Sequence, residues 1–305
     1  MPYDAKKMNV DDLSGSLWVE GQSSKDRLIR SLVERFSAFS TVEAIAFGGS
    51  SASGANDQQS DIDVYVYTTA AIPLAARSAL VEEMGASHAD LDLRFWDYGD
   101  EWFDAVTGIE VDVMYWDPVL IEDQLAHVWQ EHQASLGYTT CLWYTVRNSR
   151  ILFDQQGWLD RLHQQSAQPY PEGLRQAIIA KNHAVLRNVV PSYTHQIEKA
   201  CRRADLVSQN HRVAALLASY FDVVFALNRV LHPGEKRLMA NTQVQCALLP
   251  IGMAASIEEV LQAACKVDGI LPAAVHALID GLDDLLRQEG FDPATSQPLA
   301  MQSAK

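Results

Sequence analysis

Asp61, Asp63 and Asp112 have the residue type and the setting to do chemistry. The stretch DIDVYVYT (61–68) alternates strictly, which predicts a β-strand. A period of two puts Ile62, Val64 and Val66 on one face and Asp61, Asp63, Tyr65 and Tyr67 on the other. Carboxylates two residues apart on a strand lie roughly 6.5 Å apart at their α-carbons, so their oxygens can converge on one hard cation. Left alone they repel and shift each other's pKa, which makes a divalent cation a natural partner. Magnesium takes oxygen ligands, commonly one or two carboxylates plus substrate phosphate. IEVDVMYW (109–116) repeats the design, with Glu110, Asp112, Met114 and Trp116 on one face. If this strand pairs near the first, Asp112 joins Asp61 and Asp63 as a third metal-binding carboxylate. Three carboxylates can hold two Mg2+ ions about 3.5–4 Å apart, the arrangement used for in-line displacement at phosphorus. Asp112 would then orient and deprotonate an acceptor hydroxyl. Glu110 is its rival, and Asp112 is preferred because it sits between Val111 and Val113.

Upstream, Gly48-Gly49-Ser50-Ser51 begins on the last residue of the apolar segment TVEAIAFG (41–48). Glycines at a strand end let backbone amides approach phosphate oxygens, and the serines add hydroxyl donors. The segment is not a P-loop, because no Gly-Lys-Ser/Thr follows. Alone, a Gly-Gly-Ser or an Asp-x-Asp has a bland reading as an ordinary loop or a solvated strand face. The ordered set is far more specific: strand, Gly-Gly-Ser, Asp-x-Asp in an apolar strand, third acidic strand.

The elements that must position these residues can be read outward from them. QSSKDRLIRSLVERFSA (22–38) carries Leu28, Ile29, Leu32, Val33 and Phe36 on one helical stripe. Residues 72–86 and 118–133 suit helices, 89–97 alternates like a strand, and ILFD (151–154) reads as a last edge strand. Strand signals end near Asp154. From there helical patterns occupy about 172–190, 192–204, 208–231, 235–247, 255–267 and 271–288. The run 212–231 is apolar on most faces and predicts the central helix of a bundle. The expected organisation is an α/β (α+β) domain with a mixed sheet over 1–155, then an all-α helical bundle over 156–305.

Composition bounds the partners. The 305 residues carry a net charge of −15. All of it falls in residues 1–155, while 156–305 hold 14 basic and 14 acidic residues. An acidic first half argues against a groove that tracks nucleic acid. It also requires metal or basic groups to offset a triphosphate's charge. No apolar stretch reaches the ~18 residues of a membrane span, and the start lacks the pattern of a secretory signal. A cytoplasmic location is expected. The four cysteines have no metal-ligand spacing and read as reduced thiols.

FGGS (47–50), SDIDVYV (60–66) and EVDVMY (110–115) together resemble the DNA polymerase β-type nucleotidyltransferase superfamily. A mixed minimal head followed by a helical bundle is similar to the antibiotic, kanamycin- or lincosamide-type branch. The resemblance implies that Asp61 and Asp63 bind metal. It implies that Gly48, Gly49, Ser50, Ser51 and Ser60 lie at the nucleotide and that Asp112 activates the acceptor. By the same resemblance Lys236 or Arg237, after the turn at Pro233-Gly234, could reach back to a β- or γ-phosphate; a solvated helix start is the bland alternative. The bundle would bind acceptor and close over nucleotide. The expected reaction moves a nucleoside monophosphate, with ATP the presumed donor, to a hydroxyl of a small molecule such as an antibiotic. A homodimer fits this picture. Adenylylation of a protein side chain, or nucleotide binding by a non-catalytic regulator, are the competing readings.

Overall fold

The computed structural model describes residues 23–48, 61–95 and 97–299. Contacts divide the chain into two compact units. Unit 1 is Met1–Asp123 with Thr145–Gln168, and unit 2 is Gln124–Tyr144 with Pro169–Lys305.

Unit 1 is built on a six-stranded sheet. Its strands are β1 (Val42–Phe47), β2 (Ile62–Thr68), β3 (Ala86–Leu93), β4 (Gly99–Asp104), β5 (Glu110–Trp116) and β6 (Arg150–Asp154). Their order is β3-β4-β5-β2-β1-β6, with β2 and β5 parallel and every other pair antiparallel. The sheet is therefore mixed, and 150–154 is an edge strand, as its sequence suggests.

Helices α1 (Ser24–Phe36) and α2 (Leu74–Glu83) cover one face. Ser23 and Asp26 form a reciprocal capping box at the start of α1, a device that contributes on the order of 1 kcal/mol. The apolar stripe Leu28, Ile29, Leu32 and Phe36 then packs on Ile45, Val64, Val66, Val111 and Val113. These strand residues are the inward set that alternation assigns to β2 and β5. The opposite face is covered in part: Tyr67 lies against Trp158, which opens helix α5 (Trp158–Ser166), with ring centroids 5.0 Å apart.

β4 has no counterpart among the strands expected from sequence. Its inward positions are Asp100, Trp102 and Asp104, all buried. Two acids on the core side hide the apolar alternation of a strand. Asp100 is neutralised by Arg77 of α2, and Asp104 accepts from the amide and hydroxyl of Thr107. Gly99 opens the strand because a Cβ there would stand 2.6 Å from the carbonyl oxygen of Val113 on β5.

Unit 2 is helical. Between α3 (Pro118–Trp129) and α5, helix α4 (Cys141–Asn148) begins in this unit and ends in the other. The remaining helices are α6 (Glu172–Arg187), α7 (Tyr193–Arg202), α8 (Leu206–Leu227), α9 (Leu238–Gln245), α10 (Met253–Ala264) and α11 (Leu271–Gln288). The apolar run near 212–231 is the second half of α8. There every residue from Ser219 to Leu227 is buried. A short hairpin, β7 (Phe291–Asp292) with β8 (Gln297–Pro298), closes the unit. Among the described residues no helix is long and apolar enough to cross a membrane. All four cysteines are free.

Candidate active site

The parallel pairing of β2 with β5 sets the site. Ile62 pairs with Val111, Asp63 with Asp112 and Val64 with Val113. Direct partners on neighbouring strands leave the same face, with strands about 4.8 Å apart. Asp63 and Asp112 are thus side by side, both half-buried, on the face opposite α1 and α2. Asp112 is the register partner of Asp63, and Glu110, its rival, lies two residues earlier on the same strand. Asp61 lies one residue before β2 and is exposed; its carbonyl accepts from Lys25 Nζ at 3.3 Å.

β4 contributes a residue that sequence reading missed. Glu101 is the antiparallel partner of Asp112. The row Asp63, Asp112, Glu101 therefore crosses three adjacent strands on one face. Its electrostatics follow. Burial pushes Asp112 up to about 7, and the charges of Glu101, Asp63, Glu110 and Asp97 push the same way. The signal for Glu101 lay in a strand whose alternation was masked by Asp100 and Asp104. A hairpin turn was legible, however, from Gly108 just before β5.

Tyr65 shares this face of β2. Its ring is stacked on Trp116 of β5, with centroids 4.3 Å apart and an angle of 18° between the planes. Burial raises its phenol above the ordinary range, and Asp63, Asp112 and Asp97 add to the shift. Tyr65 and Tyr67 are thus packed aromatics rather than exposed platforms. Gly48, at the end of β1, donates its amide to the carbonyl of Asp63 at 2.8 Å.

Other residues singled out from sequence fall elsewhere. Gly49, Ser50, Ser51 and Ser60 lie outside the described residues. Lys236 belongs to unit 2, where it is exposed and its carbonyl accepts from Asn241 Nδ2 at 3.1 Å. Asp222 of α8 is 1% exposed and bonded to Thr139 and Asn182.

The donor set fits a hard divalent cation. It consists of carboxylate oxygens alone, and burial, with the neighbouring negative charges adding to it, holds Asp112 far above its ordinary value. Among the described residues no group of three or more His, Cys, Asp or Glu side chains is assembled to hold a metal ion. Asp63 and Asp112 are the pair that would hold it. Two carboxylates suffice for magnesium when phosphate completes the shell.

Comparison with known proteins gives two family matches. Residues 26–123 match the model of a nucleotidyltransferase domain. Residues 139–238 match a domain of unknown function (DUF4037). No curated protein matches the chain. Among solved structures, the chain is similar to a nucleotidyltransferase-like protein from Exiguobacterium sibiricum 255-15. That likeness has 11% identity and a TM-score of 0.42 and covers 87% of this chain and 75% of the other.

Proposed function

We propose that this chain, which carries a nucleotidyltransferase domain over residues 26–123, moves a nucleoside monophosphate from a nucleoside triphosphate to an acceptor hydroxyl. The observation that carries the reading is the lateral pairing of Asp63 with Asp112 inside that domain. ATP is the proposed donor and magnesium the proposed cation. A small hydroxylated molecule is the proposed acceptor, and a cationic one suits the acidic face. The catalytic part is assigned to about 1–155 and acceptor binding to the helical part, with Lys236 a proposed phosphate contact.

Asp63 and Asp112 would bind the divalent cation, with Asp61 a further ligand from the residue before β2. Once bound, the cation supplies charge neutralisation for the triphosphate and the leaving pyrophosphate. Asp112 orients the acceptor hydroxyl and takes its proton. The hydroxyl oxygen forms a bond to the α-phosphorus, the bond from that phosphorus to the bridging oxygen breaks, and pyrophosphate departs. The protein's contribution is positioning and charge stabilisation rather than covalent chemistry. Gly48 and the glycine and serine residues after it supply the proposed phosphate contacts.

The test is incubation of the full chain with α-labelled ATP, magnesium and a panel of hydroxylated acceptors that includes aminoglycosides and proteins. Label transfer with release of pyrophosphate is expected. Tight nucleotide binding with no transfer to any acceptor would favour the regulatory reading instead.

A further inference from the structure

The ring of Tyr65 and the backbone of Gly48 compete for one space. A Cβ built on Gly48 would lie 2.2 Å from Tyr65 Cε2 and 2.8 Å from both Cζ and the hydroxyl oxygen. Carbon atoms attract at about 3.5–4.0 Å, so no side chain fits there while the ring stays. Gly48 is not among the glycines with positive φ, so the ring alone excludes a side chain. The ring is not free to retreat. It is 9% exposed and stacked on Trp116. Gly48 in turn is bonded through its amide to the carbonyl of Asp63 at 2.8 Å. Contact therefore runs from Trp116 on β5 through Tyr65 on β2 to Gly48 at the end of β1, and back to Asp63.

We propose that Tyr65 is a positioning residue for the nucleotide: its ring, held by Trp116, fixes the backbone of Gly48 beside Asp63. The inference rests on the nucleotidyl-transfer reading. Tyr65 acts through Gly48 and touches no reacting atom. The role needs the ring and not the hydroxyl, so phenylalanine preserves it and a small side chain loses it. Ordinary core packing makes a different forecast. A packing residue changes melting temperature and leaves the nucleotide affinity of the folded protein alone.

Calorimetric titration of the full chain with α,β-methylene-ATP and magnesium separates the two, with thermal melting of every variant alongside. Y65F should bind within about twofold of wild type, and Y65A at least about tenfold more weakly. G48A should weaken binding at least about tenfold alone, but less than about threefold in the Y65A background, where the methyl group has room. If Y65A does not fold, Y65L supplies the background. An equal G48A effect in both backgrounds, or wild-type affinity in Y65A, overturns the proposal and leaves the reading of the site intact. Failure of the wild type to bind this analogue or its guanosine counterpart overturns the nucleotidyl-transfer reading, and the role of Tyr65 falls with it.

Discussion

Arg77 and Asp100 form an ion pair with side-chain exposures of 1% and 0%. It joins α2 to β4 beneath the sheet. The guanidinium also donates to the carbonyl of Ile72 at 3.1 Å, to Asp92 at 3.0 Å and to the hydroxyl of Tyr98 at 2.8 Å. Asp100 accepts in addition from the hydroxyl of Tyr115 at 2.7 Å and the amide of Asp92 at 2.8 Å. One residue further along β4, Glu101 points the other way and stands beside Asp112. The buried pair thus secures the strand that shapes the field at the site.

Breaking this pair from one side should be costly, because the remaining charge stays buried. R77M is expected to lower unfolding free energy by about 3–5 kcal/mol. The R77M/D100L double variant should recover part of the loss, since no lone charge is then left inside. Urea unfolding of the wild type and the variants measures both. A loss in R77M below about 1 kcal/mol would mean that Asp100 is relieved by water or a proton and does not depend on Arg77.

D63N tests the centre of the proposed reaction. The substitution keeps the shape of the side chain and removes one of two adjacent like charges, so the fold should survive with little change in melting temperature. Transfer from α-labelled ATP should fall by a factor of about a thousand or more, as when charge stabilisation in a transition state is lost. Turnover near the wild-type rate in a folded D63N would remove Asp63 from the mechanism.

Legibility followed local pattern. β2 and β5 were readable because Ile62, Val64, Val66, Val111 and Val113 alternate cleanly with polar or aromatic neighbours. α1 was readable from its stripe and α8 from its apolar length. β4 was not, because Asp100 and Asp104 occupy core positions. Their partners, Arg77 in α2 and Thr107 in the turn, cannot be matched to them without the fold. Glu101 was lost with its strand. Tyr65 and Tyr67 follow the alternation onto the acidic face, yet both are buried, since α5 and Trp116 cover that part of the sheet. Face assignment is local; what covers a face is set by segments distant in sequence.

Asp222 gives a pH prediction for unit 2. It is 1% exposed and accepts from Thr139 Oγ1 at 2.6 Å, the Thr139 amide at 3.2 Å and Asn182 Nδ2 at 3.1 Å. Burial pushes its carboxyl up to about 7, against the pull of the Thr139 bonds. A carboxyl raised above its unfolded value, about 3.9, holds its proton more tightly in the folded state. Its contribution to stability is therefore greatest below about pH 4, declines as pH rises to about 7 and is flat beyond. His232 opposes this, because burial lowers it to about 4 and the folded state gains as pH rises. Subtracting the curve of D222N isolates Asp222. The stability of wild type relative to D222N should fall between about pH 4 and pH 7, measured by urea unfolding across that window. A constant difference would mean that the three donors keep Asp222 ionised throughout.

His183 of α6 is held between two side chains of unit 2. Its Nδ1 is 2.8 Å from Ser296 Oγ and its Nε2 is 2.7 Å from Asp283 Oδ1. Ser296 also has a left-handed φ of 56°. Serine, histidine and aspartate in this order match a hydrolytic triad. The setting does not. Ser296 is 1% exposed in the turn between β7 and β8, where its amide bonds to the carbonyl of Asp292 at 2.7 Å. A nucleophile must meet its substrate, whereas this hydroxyl is sealed inside. The three residues, with Arg187 on Asp283, tie α6, α11 and the terminal hairpin together. H183A should cost about 3 kcal/mol, because it leaves Ser296 unpaired and Asp283 with fewer donors. S296A should cost about 1 kcal/mol. Amide exchange in residues 291–298 should quicken in H183A well before exchange in α8 does. Hydrolysis of a nitrophenyl ester by the wild type that disappears in S296A would contradict the sealed pin and give these residues a catalytic role.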